Sequence, residues 1–301
     1  MTVLKTQNLT KIYGGKRAVD NVSLAVKKGD IFGLIGQSGA GKTTFMRLVA
    51  SLTRPSSGGI ELFGSSEKLD SARKRMGSII EMPALYNDLS AVQNLEYYRL
   101  QRGIPDKNRI PKCLELVGLT DTAKKKYKNF SLGMKQRLGV AAAILSHPDF
   151  LILDEPTNGL DPIGIVEMRN LIKRLSADGI TILISSHLLS ELAQVANQYA
   201  IIHHGRLIKQ LTQGQLHEEC KQSLAITVDD APKAAVLLET MWGIRDYKQV
   251  SENEIRVFGQ VADSADITFG LNQEGVRVSA IQRMGENLED YYTKLIGGDV
   301  Q

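Results

Sequence analysis

Cysteine is scarce in this chain of 301 residues: Cys113 and Cys220 stand alone and far apart. Two isolated thiols exclude a disulfide framework and a cysteine-based metal cluster, and they fit a reducing compartment. Long apolar runs are missing too. No stretch approaches the ~20 apolar residues of a membrane-spanning helix. The opening residues, Met1-Thr2-Val3-Leu4-Lys5-Thr6-Gln7, hold no apolar signal core. The expectation is a soluble protein, held at a membrane only through another subunit. There is no strong excess of one charge. The net charge is +4, whereas nucleic-acid binding calls for a basic stripe. The densest run, Lys124-Lys125-Lys126-Tyr127-Lys128, reads as a solvated face. Internal repeats and low-complexity segments are lacking, and the length suits one large plus one small domain.

Against these absences stands Gly36-Gln37-Ser38-Gly39-Ala40-Gly41-Lys42-Thr43-Thr44. It follows the apolar run Ile31-Phe32-Gly33-Leu34-Ile35, read as a buried strand, and leads into Phe45-Met46-Arg47-Leu48-Val49-Ala50, which has helical spacing. Strand, glycine-rich loop, Lys-Thr and helix form the context a phosphate loop requires. Gly36, Gly39 and Gly41 allow positive φ and close backbone approach, so successive N–H groups can turn toward an anion. The first turn of the helix adds free N–H groups and a favourable dipole end, worth ~0.3–2 kcal/mol per charge. Lys42 brings a full charge to the β- and γ-phosphates, and the Thr43 hydroxyl suits Mg²⁺. A nucleoside triphosphate is the expected ligand.

Residues 3–27 alternate in short apolar runs around Tyr13-Gly14-Gly15-Lys16 and read as antiparallel strands. Tyr13 is either a half-buried core tyrosine or a flat face for a base at a loop tip. A turn is expected over 54–59, a strand over 60–64, a helix over 68–75, and a buried strand ending in Glu81. A mostly helical insertion then runs over about 86–145, broken at Gly103-Ile104-Pro105 and Gly118. Its last helix opens at Ser131-Leu132-Gly133-Met134-Lys135-Gln136-Arg137. Ser131 reads as an N-cap, and Gly133 either starts a helix or admits a phosphate to its first turn. Phe150–Glu155 is an apolar strand ending in two acids, where α/β sheets place ligands. Asp154 fits a Mg²⁺-holding acid, and Glu155 a group that orients or deprotonates the attacking water. Asp161-Pro162 begins a helix over 162–176. The strand 180–186 is closed by His187, within reach of a γ-phosphate. A helix over 188–197 and a strand pair over 200–208 follow. His203 and His204 are adjacent in a strand, face opposite ways and make a poor metal pair. Beyond about 213 come strands at 224–228, 254–258 and 276–281 and helices at 231–242, 263–271 and 286–296, with no motif that carries chemistry.

Taken in order, these motifs resemble the ATP-binding subunits of ABC transporters. The resemblance covers residues 1–215 and implies an α/β phosphate-loop NTPase core with an antiparallel β subdomain and a helical insertion. Residues 216–301 are then an accessory α+β domain. Position by position it implies that Tyr13 stacks on adenine and that Gly36, Gln37, Ser38, Gly39, Ala40, Gly41, Lys42, Thr43 and Thr44 bind the phosphates, with Thr43 on Mg²⁺. Ser131, Gly133 and Gln136 match the signature that completes a partner subunit's site. Asp154 and Glu155 match the Mg²⁺-supporting acid and the catalytic base, Asp161 the loop linking two sites, and His187 the γ-phosphate switch. One complete copy of each motif implies a symmetric pair of this chain around two ATP molecules.

Where most members carry glutamine, this chain has Glu81, which accepts hydrogen bonds but cannot donate them when ionised. It remains a candidate Mg²⁺ ligand. The context Gly77-Ser78-Ile79-Ile80-Glu81-Met82-Pro83 and the carboxyl end Asn287–Gly298 are similar to those of bacitracin- and lantibiotic-type exporters. The resemblance therefore implies an ATPase motor, cytoplasmic and peripheral on the inner membrane face. It would drive a separate membrane permease that exports a peptide antibiotic or similar amphiphile. The alternative is a soluble ABC-type ATPase acting on ribosomes or nucleic acid. Such proteins usually carry two cassettes or a long coiled-coil insertion, and no nucleic acid is expected here. A phosphate-loop kinase or GTPase would leave Ser131–Gln136 and His187 unexplained.

Overall fold

In the computed structural model, which describes residues 1–220, 223–258, 264–284 and 288–297, the chain divides into two units, Met1–Gln213 and Gly214–Gln301. In the first, the long strand β1 (Thr2–Tyr13) pairs antiparallel with β2 (Lys16–Val22), β3 (Ala25–Lys27) and β5 (Ser57–Leu62). The strand β5 begins inside the stretch expected to turn. Gly58 has φ +83°, and a Cβ there would lie 2.3 Å from the Asn8 carbonyl oxygen. The glycine thus lets two backbones touch at an irregular pairing rather than reversing the chain.

The strand β4 (Ile31–Ile35) is buried at every residue, as a strand covered on both faces must be. It lies inside a six-stranded sheet of order β10-β9-β4-β8-β7-β6. Here β6 (Met76–Ile79), β7 (Phe150–Leu153), β8 (Thr181–Ser186) and β9 (Gln198–His203) run parallel to β4, and β10 (Arg206–Thr212) closes the edge antiparallel. The register sets Ile35 beside Ser186, Ile184 beside Leu153, and Leu153 beside Ile79. The chain therefore leaves β4, β6, β7 and β8 along one edge, and the candidate residues that follow these strands share it.

Helices α1 (Lys42–Val49), α2 (Leu69–Arg73), α3 (Ala91–Gln101), α4 (Arg109–Leu116), α5 (Leu132–Ile144), α6 (Pro162–Ala177) and α7 (Leu189–Leu192) complete this unit. A capping box, Ser90 with Gln93, starts α3. Helix α5 lies hard against β6 and its exit. A Cβ on Gly77 would fall 2.3 Å from the Ala143 carbonyl oxygen, and one on Gly139 would fall 2.6 Å from Pro83 Cγ. The helix expected over 188–197 ends regularly at Leu192. Asn197 is drawn off to the start of β4, where its amide donates to the Ile31 carbonyl and its Oδ1 accepts from the Ile31 amide.

At the boundary α8 (Gln213–Cys220) begins, followed by β11 (Ser223–Val228), α9 (Ala231–Trp242), β12 (Tyr247–Gln249), β13 (Glu254–Phe258), α10 (Ser264–Gln273), β14 (Val278–Met284) and α11 (Leu288–Gly297). The antiparallel order β12-β13-β11-β14 is that of a split βαβ motif. Ile226, Leu238, Ile255, Val257 and Leu271 fill its separate core. The three-residue β12 is too short to show a period in the sequence. Residue 263 of one expected helix, residues 286–287 of another, and Asn287 and Gly298 of the carboxyl-terminal match lie outside the described residues.

Candidate active site

After β4 the chain turns through exposed Gln37, Ser38 and Gly39 and enters α1 at Gly41. Gly41 has φ +108°, and a Cβ on it would sit 2.3 Å from the Ala18 carbonyl oxygen, so no other residue fits there. Lys42, its side chain 4% exposed, folds back over the loop and donates to the carbonyls of Gly36 at 2.6 Å and Gln37 at 3.2 Å. Its Nζ also pairs with Glu155 Oε1 at 3.1 Å, and Glu155 Oε2 meets His187 Nδ1 at 3.2 Å. The three groups expected to act at the γ-phosphate are thus linked directly. Glu155 holds a left-handed backbone, φ +45°, a conformation that costs about 1–3 kcal/mol and clusters at functional sites.

A second chain of contacts runs beside the first. Thr43 Oγ1 donates to Asp154 Oδ2 at 2.8 Å, and Ser185 Oγ donates to Asp154 Oδ1 at 2.6 Å. The Glu155 amide donates to the same Ser185 hydroxyl at 2.9 Å. One serine therefore fixes both acids. Thr43 and Asp154 offer a hydroxyl and a carboxylate oxygen side by side, the hard-oxygen set that suits Mg²⁺. Among the described residues no group of three or more His, Cys, Asp or Glu could hold a metal. A Mg²⁺ completed by phosphate and water oxygens fits that pair. Glu81 takes a different partner. Its Oε1 accepts from Arg47 Nη2 at 2.6 Å, one turn along α1 from Thr43, and its backbone is left-handed at φ +65°.

The remaining candidates take other partners. Tyr13 is exposed, with its hydroxyl 3.4 Å from Thr53 Oγ1 and the Lys11 ammonium 4.8 Å over its ring. Ser131 caps α5 by accepting from the Met134 amide at 3.3 Å, and Asp161 caps α6 by accepting from the Gly164 amide at 3.0 Å. Gly133 lies near this turn too: a Cβ on it would be 3.7 Å from Leu160 Cδ2. Gln136 is buried on α5, its Oε1 without a hydrogen-bond partner among the described residues. A cavity of about 180 Å³ opens beside the acids, lined by Glu155, Asn158, Gly159, Ser186, His187 and Glu191. Glu191 Oε2 accepts from Thr157 Oγ1 at 2.7 Å and lies 3.4 Å from Ser186 Oγ, tying the segment after Glu155 to the segment before His187. Sequence reasoning missed Ser185, Glu191 and Arg47. The first two carry no local signal beyond a strand tail and a helix face. Arg47 sits four residues after Thr43, a spacing that marks a shared helix face.

A parallel sheet, a glycine-rich loop after an inner strand, a lysine folded over that loop and acids after another strand of the same sheet define the phosphate-loop nucleoside triphosphatases. Within that class, the ABC transporter family model matches residues 19–158. The chain is 44% identical over 300 residues to the bacitracin transport ATP-binding protein BcrA of Bacillus licheniformis, covering 99% of this chain and 98% of that protein. It is also 44% identical over 206 residues to the lantibiotic transport ATP-binding protein SrtF of Streptococcus pyogenes, covering 68% and 89% of the two chains. Among solved structures, cbiO1 of Clostridium perfringens, part of the ABC transporter complex cbiONQ, is similar with a TM-score of 0.66 at 26% identity, covering 72% of this chain and 91% of that one. The protein belongs to the ABC transporter ATP-binding family and is an ATPase subunit of that family. The fold class and the family expected from the motifs are both borne out.

Proposed function

We propose that this subunit powers export of a peptide antibiotic or similar amphiphile through a separate membrane permease, and so supports resistance or immunity. The observation that carries this reading is likeness along nearly the whole chain, at 44% identity, to a protein named for bacitracin transport. Among the described residues no helix is long and apolar enough to cross a membrane, so the transported molecule needs a path supplied by another chain. The subunit then works on the cytoplasmic face, held by that permease.

Each residue's part follows from its chemistry. The amides of 36–44 and the Lys42 ammonium bind the triphosphate, and Tyr13 offers an exposed ring to adenine. Thr43 and Asp154 hold Mg²⁺, which when bound neutralises β- and γ-phosphate oxygens. ATP entering the site exchanges Lys42's carboxylate partner for phosphate and releases Glu155 to take a proton from the attacking water. His187, bonded to Glu155, contacts the γ-phosphate. Ser131 and Gly133 sit at the start of α5 rather than on the phosphate loop, and we assign them to the site of a second copy bound head to tail, with Gln136 farther along α5. Asp161 links the two sites. Glu81, paired with Arg47, adjusts coupling to the permease rather than holding nucleotide, and residues 214–301 serve as an accessory domain.

The test is a strain lacking this chain, complemented with the wild type or with Glu155→Gln, and scored for its inhibitory concentrations of bacitracin and a lantibiotic. Wild type should restore tolerance and Glu155→Gln should not. Unchanged susceptibility in the deletion strain would refute the export reading.

A further inference from the structure

Away from the phosphates, one buried carboxylate takes no part in the chemistry of the site. Asp20 lies on β2 with its side chain 4% exposed. Its Oδ1 accepts from Arg17 Nη1 at 2.5 Å and its Oδ2 from Arg206 Nε at 2.8 Å. Arg17 precedes it by three residues, while Arg206 opens β10, 186 residues away in the chain. Hydrogen bonds from Arg17 first, then Arg206, hold the Asp20 carboxyl below its ordinary value despite burial.

The backbone around Asp20 leads straight to the phosphate loop. The Asp20 amide donates to the Gly205 carbonyl at 2.8 Å, and the Gly205 amide donates to the Ala40 carbonyl at 2.9 Å. Behind Gly41 stands the Ala18 carbonyl, 2.3 Å from where a Cβ would be, with Gly205 Cα 3.4 Å from the same point. Three segments distant in sequence thus meet at Ala40–Gly41: β2, the β9–β10 turn and the phosphate loop. The Asp20–Arg206 pair is the side-chain link between the first two.

We propose that Asp20 is a positioning residue for nucleotide binding. With Arg206 it clamps β2 to the β9–β10 turn and so sets the wall against which Ala40 and Gly41 rest. The loop binds phosphate with backbone N–H groups, whose bonds weaken steeply once misaligned. A slack wall therefore loosens ATP. It leaves turnover of bound ATP in place, because neither Asp20 nor Arg206 touches Glu155, His187 or Asp154. The clamp rests on the reading that residues 36–44 hold the triphosphate.

The experiment compares Asp20→Ala, Arg206→Ala, Arg206→Lys, Arg17→Ala and, as a control, Lys42→Ala in the full chain. It reads ATP hydrolysis kinetics, direct binding of a fluorescent ATP analogue and thermal melting. Asp20→Ala and Arg206→Ala should raise KM and weaken binding about five- to tenfold, with kcat within about twofold, the pattern of lost binding without lost chemistry. Arg206→Lys should recover part of the loss, and Arg17→Ala, which breaks no link between segments, should behave as wild type. Should Asp20→Ala not fold, Arg206→Ala decides the matter, since its guanidinium lies on the surface. Unchanged KM in Arg206→Ala, an equal effect of Arg17→Ala, or a fall in kcat at constant KM would overturn the clamp. Normal nucleotide binding by Lys42→Ala would instead overturn the site reading, and the clamp with it.

Discussion

Ser185 holds two acids at once, accepting from the backbone of Glu155 and donating to the side chain of Asp154. Its loss should act differently from loss of Glu155, the proposed base. Glu155→Gln keeps the shape and removes the proton acceptor, so hydrolysis should fall about 10²–10⁴-fold, the usual worth of general base catalysis, while ATP stays bound. Ser185→Ala leaves Glu155 ionisable but unpinned and strips a partner from Asp154. Its turnover should drop less, and its Mg²⁺ requirement should rise. Hydrolysis measured across a magnesium titration separates the two, and a shared magnesium profile would count against the role given to Ser185. Lys42, Asp154, Glu155 and His187 were legible in the sequence because each ends or follows an apolar run, and parallel register does the rest. Ser185 was not. Inside a strand, nothing local tells a serine that braces two acids from one that fills space, and its partners lie 30 and 31 residues upstream.

At the level of elements, the packing of α5 on β6 and its exit is a tight junction. Gly139→Ala adds a methyl where Pro83 Cγ stands 2.6 Å away, an overpacking that typically costs about 1–3 kcal/mol. Melting should fall by about 2–10 °C in a unit of this size, and scanning calorimetry reads that shift directly. An unchanged melting temperature would mean that the helix yields freely at this point. Most elements were visible in the sequence through their periods and breakers, α3 to α5 above all. Where expectation and structure parted, long-range pairing decided. The Gly58–Gly59 dipeptide reads locally as a turn, yet Gly59 pairs with Gln7 and Ser57 with Thr10. The end of α7 is likewise set by the bonds of Asn197 to Ile31.

For the molecule as a whole, the proposed pairing of two copies makes a test that needs no structure of the pair. Lys42→Ala and Ser131→Ala should each be inactive alone. Mixed in equal amounts, half of the pairs join one variant's intact loop to the other's intact signature, in one of two sites. Activity should return to about a quarter of wild type if the sites turn over independently, and no recovery on mixing would speak against shared sites. What no single-chain reading of the sequence supplies is the join between distant segments, such as Asp20 to Arg206. The seating of Pro83 on Gly139 has one more consequence. Ser131 caps the far end of that same helix, eight residues and about 12 Å along its axis, while Pro83 follows Glu81 by two positions. Helix and proline meet without any compressible side chain between them. In the proposed pair, a shift of the glutamate's segment would press directly on the helix whose tip faces the second copy, as a rocker arm does.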